Sequence, residues 1–128
     1  MKKNSFNFHL THLSADNKLN IKNIKRLYND KELLSIFISG AVFNDGEYEN
    51  IKLNIIKIKG TSFIFANLNG SDFSNSYITG CDFTFANLTN CNFQGAIIED
   101  CLFRHTILKK TKFFNTNIVF TDFTGATL

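Results

Sequence analysis

From Phe63 to Leu128 a large apolar residue recurs at every fifth position without a gap: Phe63, Leu68, Phe73, Ile78, Phe83, Leu88, Phe93, Ile98, Phe103, Leu108, Phe113, Ile118, Phe123 and Leu128. Two residues before each stands a small one, running Thr61, Ala66, Ser71, Ser76, Cys81, Ala86, Cys91, Ala96, Cys101, Thr106, Thr111, Thr116, Thr121 and Ala126. A helix repeats near 3.6 and a plain strand near 2, so a period of five belongs to neither alone. Residues two apart on an extended segment share a face, which puts the small and large members of each pentad inside together. The odd period then demands a bend after each short segment. Each pentad is one side and one corner.

The large residues also run Phe, Leu, Phe, Ile and repeat that order to the end. Four sides therefore close one coil, and residues twenty apart stack. This predicts a Phe63–Phe83–Phe103–Phe123 column, a leucine column from Leu68 to Leu128, a second column of Phe73, Phe93 and Phe113, and an isoleucine column of Ile78, Ile98 and Ile118, with coils about 4.8 Å apart. Two residues after the large position lie Gly70, Asn75, Gly80, Asn90, Gly95, Asp100, Asn115 and Gly125. These residue types tolerate the positive φ of tight turns.

The stretches ANLNGSDFSNS and CDFTFANLTNCNFQGA resemble the A(D/N)LXX tandem motif of the pentapeptide-repeat family, strictly over about half the chain. The resemblance implies an all-β solenoid, a right-handed quadrilateral β-helix. It also implies a surface for binding rather than a catalytic pocket. Two groups within the family are relevant: proteins that protect DNA gyrase by presenting a DNA-like acidic rod, and domains of secreted bacterial effectors, some fused to HECT-like ubiquitin-ligase regions.

Phe43, Tyr48, Leu53 and Ile58 keep the phase upstream, with Ala41 and Gly46 in small slots but Ile51 and Ile56 too large for theirs. Residues 41–60 thus read as a degenerate first coil, widened to meet a cap, ahead of the regular repeats at 61–128. In residues 1–40, Ile21, Ile24, Leu27 and Tyr28 have helical spacing, and Asn29 with Glu32 resembles a helix start before Leu33, Leu34 and Phe37. A capping segment with short helices is expected there. Phe6, Phe8 and Leu10 alternate as a brief strand does. At the other end Leu128 is itself in phase, so an open last coil either pairs with another subunit, giving a homodimer, or continues into a longer chain.

Composition narrows the function. A length of 128 residues suits one domain. Fifteen phenylalanines with no tryptophan or proline fit a repeat rather than a mixed core. Residues 1–59 hold ten Lys or Arg against six Asp or Glu, and residues 60–128 four against five. The repeats are thus too evenly charged to replace a phosphate backbone, and nothing marks a nucleic-acid partner. No apolar run reaches the roughly 18 residues of a membrane span, and the start lacks a secretory signal. The expected setting is the bacterial cytoplasm, with secretion into a host cell on the effector reading. Three cysteines without a CxxC fit buried free thiols, and Cys81, Cys91 and Cys101 are assigned neither metal nor catalysis. No cofactor is expected. If a ligase region exists in a longer parent, its nucleophile lies beyond Leu128.

The exceptions to the corner rule are the candidate contacts. Phe65, Phe85 and His105 form one bulky corner column. It reads as a contact stripe for a protein partner, or as a ladder that stiffens an edge or is covered by the N-terminal helix. Phe114, Val119 and Phe120 lie off the core positions near the open end, suiting either an end contact or local packing. Arg104, His105, Lys109, Lys110 and Lys112 make a basic knot on two adjacent sides of one coil, which meets phosphate or an acidic partner surface, or is an ordinary solvated face. The reading favoured is a non-enzymatic interaction or scaffold domain.

Overall fold

The structure, a computed structural model, describes residues 8–11 and 36–128. Six strands form one parallel sheet in sequence order: β1 (Phe8–Thr11), β2 (Ile36–Ser39), β3 (Lys57–Lys59), β4 (Tyr77–Thr79), β5 (Ile97–Glu99) and β6 (Asn117–Val119). From β2 to β6 each partner lies twenty residues on, as in Ile38↔Ile58↔Ile78↔Ile98↔Ile118. Short parallel bridges repeat the same step on the other three sides, such as Ser62↔Asp82, Asn67↔Asn87 and Asp72↔Asn92. The result is a four-sided parallel β-helix.

Backbone hydrogen bonds run along the axis. Phe63 N–H donates to the Asp82 carbonyl at 2.7 Å and Asp82 N–H to the Thr61 carbonyl at 3.0 Å. This pairing forces each interior side chain onto its counterpart one coil away. Phe63, Phe83 and Phe103 stack at 4.8 and 4.7 Å between centroids, and Phe73 lies 4.9 Å from Phe93. The two phenylalanine columns occupy opposite sides and meet edge to face, Phe63 with Phe73 at 6.2 Å and 89°. Offset and edge-on rings suit the aromatic quadrupole, adding about 0.5–1.5 kcal/mol per pair beyond area burial. Leucine and isoleucine close the remaining two sides, which explains the four-letter order.

Every corner places one residue at positive φ, from Gly40 to Gly125 in steps of five. On three sides most corners are type II turns, closed for example by Ala66 N–H donating to the Phe63 carbonyl at 3.0 Å. The isoleucine side lacks that turn bond among the described residues. There the small residue supplies a donor: Thr61 Oγ1 to the Lys59 carbonyl at 3.2 Å, Cys81 Sγ to Thr79 at 3.5 Å, Cys101 Sγ to Glu99 at 3.2 Å and Thr121 Oγ1 to Val119 at 3.0 Å. Side-chain carboxylates and amides at the outward position brace the turns, as when Asp82 Oδ1 accepts from Thr84 N–H at 2.9 Å.

Residues 41–60 keep the ladder register of the later coils. Ile51 and Ile56 are buried in the small slots. Gly46 is required, because a Cβ there would collide with the ring of Tyr48 in the leucine column. Ile36–Ser39 is a strand, so Phe37 belongs to the solenoid and not to a helix end. Strand β1 adds to the same sheet in the register Leu10↔Ile38, which docks the alternating segment at Phe8 and Leu10. The expected helices at Ile21–Tyr28 and Asn29–Leu34 lie outside the described residues.

The register makes a sharp prediction. Phe83 is fully buried between two rings, whereas Phe85, two residues later, is 48% exposed. Phe83→Asp places a charge in the dry core and abolishes cooperative unfolding in urea, since even truncation of such a ring costs about 3–5 kcal/mol. Phe85→Asp shifts the unfolding free energy by no more than about 1 kcal/mol. Equal loss of structure in both variants refutes the register.

Candidate contact surface

The corner between the Phe63 and Leu68 sides carries Asp45, Phe65, Phe85, His105 and Gly125 in successive coils, all exposed. Phe65 and Phe85 stack at 4.8 Å and 2°, and Phe85 and His105 at 4.9 Å and 16°. The His105 ring overlies Gly125, where a Cβ would collide with it. These bulky residues hold φ of 59°, 60° and 56°. The left-handed region costs a residue with a Cβ roughly 1–2 kcal/mol, and stacking offsets part of that. The ladder expected from sequence is therefore present and faces outward, at a conformational cost that Gly or Asn would avoid.

The other sequence-selected residues are not brought together with it. Phe114 is 68% and Phe120 85% exposed, on the Phe73 side and on the corner after the isoleucine side of the last coil, with Val119 half-buried between those corners. Leu128 is 95% exposed, and Phe113 and Phe123 pack only partly against the core. The basic knot is spread over three sides rather than two. Arg104 is neutralised by Asp122, Nε to Oδ2 at 2.7 Å, leaving Lys109 on the Leu68 side, Lys110 at its corner and Lys112 on the Phe73 side. Asp122 also accepts from Thr124 N–H at 2.8 Å. Bonds from the Thr124 hydroxyl and amide, then from Arg104, hold its carboxyl at a pKa of about 2.

Sequence reading passed over Ile55 and took Lys110 only as part of the basic knot, not as a corner residue; both are at positive φ. Neither is a residue type that signals a tight turn; only their place in the five-residue phase identifies them. A shallow hollow on the isoleucine side, about 280 Å³, is lined by Lys57, Ile58, Lys59, Tyr77 and Thr79. Beside it Tyr77 donates its hydroxyl to Glu99 Oε1 at 2.8 Å, and that bond to a carboxylate raises the Tyr77 pKa. Glu99 is thus a braced surface group and does not face a second carboxylate across a cleft. Among the described residues no set of three His, Cys, Asp or Glu converges on a metal position, and no helix is long and apolar enough to cross a membrane.

The three cysteines are free and buried in the small interior slots. Cys91 Sγ donates to the Leu68 carbonyl at 2.9 Å, and burial pushes its thiol up to about 12. Burial likewise raises Cys81 well above its usual value. These thiols act as small core residues with a donor: Cys81 and Cys101 share a column with Thr61 and Thr121, and Cys91 shares one with Ser71 and Thr111.

A stack of near-identical four-sided coils with one bulky outward corner defines the class: a β-solenoid that presents flat faces and has no deep cleft among the described residues. The chain carries pentapeptide repeats: the family model described as Pentapeptide repeats matches residues 58–95 in eight copies. Among solved structures it is similar to the pentapeptide repeat protein Rfr23 from the cyanobacterium Cyanothece 51142, with TM-score 0.70 and 18% identity over 94% of this chain and 84% of that one. It is also similar to QnrB1, a plasmid-mediated fluoroquinolone resistance protein, with TM-score 0.65 and 14% identity over 94% and 58%. HetL, involved in heterocyst differentiation regulation in the cyanobacterium Nostoc sp. strain PCC 7120, gives TM-score 0.55 and 15% identity over 94% and 55%. A search of curated proteins finds no match.

Two measurements check the site chemistry. Iodoacetamide at pH 8 leaves all three cysteines of the folded protein unmodified over hours, while the urea-unfolded chain reacts fully; rapid labelling of the native state contradicts their burial. For Asp122 the folded pKa, about 2, lies below the ordinary carboxylate range, so its stabilising bonds are present above about pH 4 and are lost as pH falls toward 2. The melting-temperature advantage of the unmodified protein over Asp122→Asn therefore shrinks through that window. A constant difference from pH 6 to 2 removes the carboxylate from the account.

Proposed function

We propose that the chain is a non-catalytic protein-binding module whose contact stripe is the corner ladder of Phe65, Phe85 and His105. The observation that carries this reading is the conjunction of exposure, stacking and positive φ in the same three residues. Elsewhere the turn column is largely Gly, Asn or Asp, which sit there at lower cost. Bulky residues held in a disfavoured backbone region on an open edge mark a surface that works outside the fold itself. The ladder is also rigid before contact, because adjacent rings and axial hydrogen bonds fix it. Binding then loses little side-chain freedom.

The likeness to QnrB1 is one of fold and brings no activity to this chain. DNA mimicry requires dense negative charge. The carboxylates here are few and mixed with cations: Asp122 is paired with Arg104, and Glu49 shares its column of the Leu68 side with Lys109. Such a surface suits a protein partner better than a substitute for a phosphate backbone.

The test is site-specific photo-crosslinking in cells that express the chain, with a photoreactive phenylalanine analogue at position 65 or 85 and, as control, at the exposed Gln94 on the Phe73 side. Discrete protein adducts from positions 65 and 85 that are missing from position 94 support the stripe. Equal or absent adducts at all three positions overturn it.

A further inference from the structure

The Leu68 side, bordered by the ladder, is ordered by charge along the axis. In the first coil it shows Glu47 and Glu49, with Asp45 at the corner. The second and third coils show only Asn67 and Asn69, then Asn87 and Thr89, with Phe65 and Phe85 at the corner. The fourth coil shows Ile107, Lys109 and Lys110, with His105 at the corner. Bridges Glu47↔Asn67, Asn67↔Asn87 and Asn87↔Ile107 keep these groups in straight columns. The side is thus acidic at one end, neutral in the middle and basic at the other. At about 4.8 Å per coil the charged rows are roughly 14 Å apart. Among the described residues no ion pair holds Asp45, Glu49, Lys109 or Lys110.

We infer that this side is the self-association surface of the protein, taken up by a second copy packed face to face and antiparallel. A two-fold axis lying between the faces, perpendicular to the solenoid and midway between the second and third coils, reverses the order of coils while keeping every column in place. Under that operation Glu49 meets Lys109 of the second copy and Asp45 meets its His105. Phe65 meets Phe85 of the second copy, Asn67 meets its Asn87 and Asn69 meets its Thr89. Every pair is complementary in charge, apolar or neutral polar. The exception is Glu47 opposite Ile107, and the Glu47 carboxylate already accepts from Asn67 Nδ2 at 3.2 Å.

An isologous interface requires a patch to be complementary to its own rotated image, and few surfaces meet that condition in five columns or pairs at once. Parallel packing of the same faces would set carboxylates on carboxylates and ammonium groups on ammonium groups, which like-charge repulsion opposes. The patch is only four coils tall, so the dimer belongs to the weak, small-interface class. Its charge pairs are exposed, so salt screens them.

The inference rests on the reading of the ladder as a contact stripe, and names its occupant. The test is sedimentation velocity of the 128-residue chain from micromolar to near-millimolar concentration. In low salt a monomer–dimer equilibrium is expected, about tenfold or more weaker in half-molar salt. Glu49→Lys and Lys109→Glu each weaken the dimer about tenfold, since each creates two repulsive contacts per dimer, and the double variant recovers to within about threefold of the original. Thermal melts confirm that all three variants remain folded. A monomer at every concentration, single variants without effect, or a double variant no better than the singles overturns the proposal. So does self-association that ignores these changes and is dissolved by Phe120→Asp, which locates the contact at the last coil. A monomer that still crosslinks another protein through position 65 leaves the contact stripe standing and removes only the dimer.

Discussion

Axial backbone pairing at a step of twenty residues governs this molecule. Because the backbone of every side bonds to the coils above and below, no side chain chooses its neighbour independently. A residue stacks on whatever lies twenty positions away. The stacked rings from Phe43 to Phe123 follow from that pairing, and so does the exposed ladder from Phe65 to His105. Core and surface obey one rule, differing only in which way the position points.

The corners are the place where that rule meets backbone sterics. A coil that turns after every five residues needs a left-handed residue at each corner, and the chain supplies one throughout. Where Gly, Asn or Asp does so, the residue suits the turn. Ile55, Phe65, Phe85, Lys110 and Phe120 do so against their preference, and His105 is of a type that enters this region more readily. On the isoleucine side the turn lacks its own closing bond, and a hydroxyl or thiol from the next interior slot takes over. Thr61, Cys81, Cys101 and Thr121 all serve there because each is small and each has a proton to donate.

Much of this was legible in the sequence because the signal is double: a period of five names the sides, and the Phe, Leu, Phe, Ile order names the coil. The columns, the outward ladder and the buried cysteines follow from those two counts. Other features have no such signature. Ile38 is in phase with Ile58, yet Leu33, Leu34 and Phe37 have helix-like spacing that masks the strand. The pairing of Phe8 with Ile36 spans a number of residues that is not a multiple of five, so periodicity is silent about it. Arg104 reads as part of a basic cluster until its coil-mate Asp122 is placed beside it. The relation of Glu49 to Lys109 emerges only when charges are followed down a side rather than along the chain.

The twenty-residue step has a consequence for how such a chain tolerates change in length. Inserting twenty residues adds one storey, about 4.8 Å of rod, and leaves every downstream side chain facing the same way. Inserting five instead rotates everything beyond it by a quarter turn. Leucines would then fall beneath phenylalanines, and Lys109 would swing onto a neighbouring wall, away from the Glu49 column. Growth in whole storeys preserves both the interior and the pattern painted on each wall, so the rod can lengthen while its outer face stays readable.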